Sequence, residues 1–234
     1  MCIRDRQIRV VNVPSAATES VAELALTQYL LLVRKLLPAV ESTRAGRWER
    51  GAHGHELAGR TVGFVGYGRI ARAIARRLVP FGCPTLAYDP FVARSDDATR
   101  MVPLAELLGQ SDIVSLHAAL TPSNRHLIDG AAFAAMKPGA FLVNVARGPL
   151  VDESALLDAL RSGRLAGAAL DVYEVEPPAN PELVHHPNVI PTPHIGAATV
   201  EAQARAGAGV VDEVLRALRG EPLTAQVRPE GSVA

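Results

Sequence analysis

Three short segments carry side chains suited to chemistry: Asn144-Val-Ala-Arg147-Gly-Pro-Leu-Val-Asp152, Asp171-Val-Tyr-Glu-Val-Glu176-Pro-Pro and Pro193-His194-Ile-Gly196-Ala-Ala-Thr199. Each follows a predicted strand, which puts all three at the carboxyl edge of the expected sheet, where open α/β folds bind their ligands. They bring an arginine, a carboxylate and an imidazole to one edge. Oxidising a secondary alcohol beside a carboxylate needs a base for the hydroxyl proton while hydride departs. It also needs a cation to hold the carboxylate and polarise the developing carbonyl. This set of side chains suits that reaction, which then requires a hydride acceptor.

Upstream, Gly66-Tyr-Gly68-Arg-Ile-Ala71 lies between a predicted strand and a predicted helix. The first glycine permits a tight turn, the second lets the backbone approach a pyrophosphate, and the small third residue lets helix and strand pack. The N–H groups that open the helix, aided by its dipole, then face the phosphates. A glycine motif alone is weak evidence. Here Asp89 ends the second strand, 23 residues after Gly66. A carboxylate at that place accepts hydrogen bonds from both ribose hydroxyls and repels a 2′-phosphate, which favours NAD over NADP.

The elements that must position these groups alternate along the chain. Strands are predicted near Thr61–Val65, Thr85–Tyr88, Asp112–Leu116, Ala140–Asn144, Ala166–Leu170 and Asn188–Ile190. Helices are predicted over Arg69–Val79, Leu104–Leu108, Gly130–Met136, Glu153–Arg161 and Thr199–Leu218. Such alternation implies a parallel sheet with right-handed crossovers, an α/β architecture of the Rossmann-type doubly wound kind. Before it, Ile8–Val13 reads as a strand closed by Pro14. One long helix is expected from Thr18, as N-cap, to Gly46, with Val21, Leu24, Ala25, Tyr29, Leu32 and Leu36 on its apolar face. Residues 46–59 read as a polar loop anchored by Trp48, and the tail after Gly220 reads as loosely held.

Composition narrows the function. Lys+Arg and Asp+Glu balance at 24 each, so no net field draws the chain to nucleic acid or a membrane surface. No apolar run is long enough to cross a bilayer. Cys2 and Cys83 have neither metal-ligand nor redox spacing, which points to a reducing cytoplasm. His53, His55, His185 and His186 read as loop residues with no set of partners that would complete a metal site. Glu201, Arg205, Asp212 and Glu213 read as a solvated helix face.

From about Val11 to Gly220 the sequence resembles the D-isomer-specific 2-hydroxyacid dehydrogenase family. PHIGAATVEAQ and ALDVYEVEPP are similar to the phosphoglycerate dehydrogenase type. The resemblance implies that Arg147 binds the substrate carboxylate, His194 is the acid/base, and Glu176 orients His194 and stabilises its imidazolium form. It also implies that Asp171 orients the nicotinamide carboxamide and that Val145 and Ala146 line its ring, with Arg147, His194 and Gly196 beside it. Gly66, Gly68, Arg69 and Ile70 would meet the pyrophosphate, Asp89 the ribose, and Thr121 the adenosine side.

Family members begin with a flavodoxin-like substrate domain, and only a remnant of it is expected here. The implied division is residues 1–13 as that remnant, with Met1–Arg6 resembling translated adapter sequence. Residues 14–198 form the NAD-binding domain with a long interdomain helix, and residues 199–234 a returning helix and tail. The chain is therefore read as N-terminally truncated, able to bind NADH but poor at turnover, and homodimeric when full length. The implied activity is hydride transfer between NAD and a D-2-hydroxy acid or its 2-keto partner. 3-Phosphoglycerate, hydroxypyruvate and glyoxylate are the candidate substrates. An NAD(H)-responsive binding protein of the corepressor type on the same fold is the alternative. The formate dehydrogenase branch is disfavoured because it carries an amide where this chain has Glu176.

Overall fold

The structure is a computed structural model that describes residues 8–51 and 53–227. Its described residues divide into two compact units, residues 21–196 and a smaller one joining the residues up to Ser20 with those from Ala197 onward.

The larger unit is a seven-stranded sheet. Its strands are β1 (Val62–Val65), β2 (Thr85–Tyr88), β3 (Arg100–Met101), β4 (Ile113–Leu116), β5 (Ala140–Asn144), β6 (Leu165–Leu170) and β7 (Val189–Pro191). All pair in parallel, in the order β3-β2-β1-β4-β5-β6-β7. Chain order runs outward in opposite directions from β1 and β4, so the switch point lies between those two strands. Every residue of β1, β4 and β5 is buried, as a parallel sheet covered on both faces requires. Val65, Leu116, Leu142 and Leu170 join Leu107, Phe133 and Leu156 in one cluster. The last three come from α4 (Leu104–Gln110), α5 (Gly130–Ala135) and α6 (Glu153–Arg161). Each large apolar side chain buried this way contributes roughly 1.5–3 kcal/mol.

The predicted strands and helices of this unit are present within one to two residues at their ends. Two short elements escaped the sequence reading: the edge strand β3 and α7 (Pro181–Val184), whose Asn180 side chain caps two N–H groups. The helix before β2 is also shorter than expected, α3 (Arg69–Leu78) giving way to a 3-10 turn.

The long first helix is two helices, α1 (Thr18–Val33) and α2 (Leu36–Arg44). Between them Lys35 is left-handed, with φ 50°. Pro38 explains the break, because it has no N–H for the Arg34 carbonyl four residues earlier and its ring would clash there. The His55 N–H occupies the Val33 carbonyl instead, at 2.6 Å. Thr18 is the first helical residue rather than the cap, and its buried hydroxyl has no hydrogen-bond partner. Trp48 anchors nothing, since it is 80% exposed.

In the smaller unit, α8 (Val200–Leu218) starts from Thr199, whose hydroxyl caps the Ala202 N–H at 3.1 Å. The expected strand over Ile8–Val13 reduces to a single antiparallel bridge, Val11 with Gln226, flanked by Val227 N–H to the Val10 carbonyl at 2.8 Å. That bridge corrects the reading of a loose tail as far as Val227. Glu213 is likewise not part of a solvated face: it is buried, and both carboxylate oxygens accept the Thr224 N–H at 3.1 Å. Residues 1–6 lie outside the described residues.

Candidate active site

At the switch point Gly66 turns the chain with φ +90°, and a Cβ there would sit 2.6 Å from the Ala118 nitrogen. Only glycine satisfies both conditions. Gly68 opens α3 with no side-chain cap, and a Cβ on it would meet nothing within 4 Å. The helix start is therefore open toward the sheet's carboxyl edge, its first N–H groups uncapped, while Ala71 behind it is fully buried. Backbone donors and free space together fit a pyrophosphate. Arg69 is exposed beside it and Ile70 half-buried. Asp89 accepts the Tyr67 N–H on one oxygen and the Phe91 N–H on the other, each at 2.8 Å. The Asp89 carboxylate is thus fixed against the glycine loop. Thr121 is exposed and bonds only within its own turn, to Asn124 and Ser123.

Along the same edge, β5, β6 and β7 deliver the three segments. Asn144 ends β5, and its side chain bridges the Ala146 N–H and the Arg147 carbonyl, both at 3.0 Å. This holds Val145 and Ala146 down, nearly buried, and presents Arg147 outward. Asp171 follows β6 and is 1% exposed. It accepts the Thr192 hydroxyl at 2.6 Å, the Ile195 N–H at 2.9 Å and the Gly196 N–H at 2.8 Å. These bonds shape the loop after β7, where His194 takes a left-handed φ of 54°.

His194 Nδ1 donates to the Glu176 carboxylate at 2.8 Å, and the Tyr173 N–H reaches the other Glu176 oxygen at 3.2 Å. The hydrogen bond from His194, against slight burial, together with Tyr173 and the nearby Arg147 charge, holds the Glu176 carboxyl below the usual carboxylate range. An ionised acid therefore backs one ring nitrogen and leaves Nε2 for a ligand.

Sequence reasoning placed Arg147, Glu176, His194, Asp171 and Gly196 on one edge, and the structure brings them there. It could not separate Glu174 from Glu176. The structure does: Glu174 turns away to His126 Nε2 at 2.9 Å and Arg125 at 3.0 Å. Asn144 and Tyr173 were missed as organisers of the loops. Asparagine at a strand's end is a turn signal that could have revealed the first, whereas a backbone donor such as Tyr173 N leaves no trace in side-chain identity.

His117, just beyond β4, is half-buried in the same region. Its Nε2 lies 2.9 Å from the Ser115 hydroxyl, and its buried Nδ1 has no hydrogen-bond partner. Burial pushes its pKa from 6.5 down to about 3. Below pH 6.5 the unfolded chain takes up a proton that the native ring refuses. Stability should therefore fall as pH drops from about 6.5 toward 3, by about 1.4 kcal/mol per unit at most. Urea unfolding at pH 7 and pH 5 checks this: His117→Gln should flatten the loss, and equal slopes for both proteins would contradict it.

Among the described residues no helix is long and apolar enough to cross a membrane, and no cluster of three or more metal-ligating side chains occurs. Fold and edge together define a dinucleotide-binding domain of the Rossmann class. Residues 26–196 match the family model described as D-isomer specific 2-hydroxyacid dehydrogenase, NAD binding domain. The chain is 42% identical to a hydroxypyruvate reductase of Thermotoga maritima, over 92% of this chain and 72% of that protein. It is 44% identical to a D-3-phosphoglycerate dehydrogenase of Mycobacterium leprae, over 97% of this chain and 44% of that protein. It superposes with a TM-score of 0.88 at 36% identity on a formate dehydrogenase from Staphylococcus aureus in complex with NAD, covering 97% of this chain and 70% of that one. The chain belongs to the D-isomer specific 2-hydroxyacid dehydrogenase family and contains its NAD-binding domain. It spans less than half the length of the phosphoglycerate dehydrogenase relative.

Proposed function

We propose that the chain carries the hydride-transfer site of an NAD-dependent oxidoreductase acting on D-2-hydroxy acids and their 2-keto partners. The observation that carries this reading is the His194–Glu176 hydrogen bond at the edge that also presents Arg147. NAD, when bound, supplies the hydride acceptor for oxidation and, reduced, the donor for the reverse. Arg147 holds the substrate carboxylate through its fork of N–H donors. His194 Nε2 takes the hydroxyl proton during oxidation and returns it during reduction, while ionised Glu176 stabilises the imidazolium. Asp171 orients the His194 loop and retains acceptor capacity on the oxygen that carries one bond, available to the nicotinamide carboxamide. Gly66, Gly68, Arg69 and Ile70 take the pyrophosphate, Val145, Ala146 and Gly196 border the nicotinamide, and Thr121 lies on the adenosine side.

The relatives' names favour hydroxypyruvate or the 3-phosphoglycerate pair as substrates, and glyoxylate stays a candidate from the family resemblance. Within this reading, residues 14–198 act as the cofactor domain, residues 1–13 and 199–234 belong with the substrate side, and the protein works in the cytoplasm as a homodimer. NADH oxidation with a panel of 2-keto acids, measured in a full-length protein that contains this chain, tests the proposal. Bound NADH that no keto acid consumes would favour the corepressor-type reading instead.

Cofactor choice should rest on Asp89. Replacing it with serine should weaken NAD binding by about 1–3 kcal/mol, as expected for stripping a charged acceptor, while NADP loses less or gains. Equal losses in fluorescence titrations would move Asp89 away from the ribose.

A further inference from the structure

The segment from Asp89 to Thr99 joins β2 to β3 without helix or strand, and one residue of the glycine loop grips both its ends. The Tyr67 N–H holds Asp89 at 2.8 Å. The Tyr67 ring is 1% exposed, and its hydroxyl donates to Asp97 at 2.6 Å while lying 2.6 Å from the Thr99 hydroxyl. Thr99 is itself buried and meets the Thr85 hydroxyl at 2.9 Å, which ties this end of the segment to the start of β2. Arg72 of α3 lies over the Tyr67 ring, 4.7 Å from its centroid, and pairs with Asp96.

Inside the segment, the Asp97 carboxylate also accepts the Thr99 N–H at 2.8 Å, and Ser95 bonds to the carbonyls of Asp97 and Thr99. Partial burial opposes ionisation of Asp97, yet the Tyr67 hydroxyl, Thr99 and the Arg72 charge hold its carboxyl below the usual range. The grip is therefore a charge-assisted hydrogen bond, roughly twice as strong as a neutral one. A connection of this length without regular structure is ordinarily soft. Here it is fastened at both ends to the motif that faces the pyrophosphate.

We propose that Tyr67 is a positioning residue for cofactor selection, its hydroxyl fastening the Asp89–Thr99 segment so that the Asp89 carboxylate is held where a ribose 2′-hydroxyl is accepted and a 2′-phosphate refused. The inference rests on the reading that Asp89 faces the adenosine ribose. Tyr67→Phe keeps the ring, the Arg72 stacking and the N–H on Asp89, and removes only the far fastening. Asp97→Ala removes the same hydrogen bond from an exposed position, a change the fold should tolerate if the tyrosine variant fails to fold.

Titration of each protein with NADH and with NADPH, followed by nicotinamide fluorescence, tests the proposal. Both variants should raise the NADH dissociation constant by about threefold to tenfold and leave that of NADPH nearly unchanged, the fraction expected when part of a charged hydrogen bond's effect is transmitted. The ratio of the two constants should therefore shrink. A residue that merely supports the fold would lower the melting temperature and leave the ratio untouched, which would overturn the proposal. Asp89→Ser serves as the reference. If it shifts the ratio while Tyr67→Phe and Asp97→Ala do not, the positioning role fails alone; if it shifts nothing, the ribose reading and the proposal fall together.

Discussion

In a full-length protein that contains this chain, replacing His194 with alanine should lower 2-keto acid turnover by about 10²–10⁴-fold, the usual worth of a positioned acid/base, while NADH still binds. Among the described residues the ring's side-chain hydrogen-bond partner is Glu176, and that acid is held ionised. Glu176 is held below the usual carboxylate range, so its charge stands behind the ring across the neutral range, and Glu176→Gln should lower turnover at every such pH. Steady-state rates across pH for the wild type and both variants decide the matter. A His194→Ala enzyme with near-normal turnover, or a Glu176→Gln profile that overlays the wild type, would remove that residue from the mechanism.

The second large effect should come from a residue with no side chain. A Cβ on Gly148 would lie 1.8 Å from both the Tyr173 carbonyl carbon and its oxygen. Backbone atoms cannot swing aside as the end of a flexible side chain can, so Gly148→Ala must displace a loop. On one side of that contact stands Arg147, and on the other the segment that leads to Glu176. Misplacement by about 1 Å costs on the order of 10²-fold in rate. The variant should therefore lose turnover by about that factor and retain NADH binding, which the proposed reading assigns to Gly66, Gly68 and Asp89. Wild-type kinetics in Gly148→Ala would mean that the two loops do not need their close contact.

The parts of this molecule that were legible in its sequence are those written in side-chain periodicity or in glycine. The apolar runs of β1, β4 and β5 are continuous because both faces are covered, and they were located almost to the residue. Gly66 announced its turn because no other residue type fits there, and Gly68 marked the open helix start beside it. Less legible were features that depend on what arrives from elsewhere in the chain. Nothing near Glu213 signals that Thr224 will reach back to it. The two-residue strand β3 is defined only by its pairing with Leu86 and Ala87. The break before α2 was legible but missed, since Pro38 marks it. At the site, the family resemblance pointed to Arg147, Glu176 and His194, but the bonds that aim them come from Asn144, from Asp171 and from the Tyr173 backbone, which periodicity does not reveal.

The sheet ends in two short margins, β3 with two residues and β7 with three, the last of them Pro191. A foreign strand adds to a sheet by hydrogen bonding to a long unpaired margin, and proline offers it no N–H at all. Among the described residues the sheet therefore presents almost nothing on which a second chain could extend the ladder. The apolar, β-prone stretch Ala140–Val143 lies in the interior, between β4 and β6. Fibrillar association must wait until that stretch is uncovered, so its rate should follow the population of opened molecules rather than the protein concentration alone.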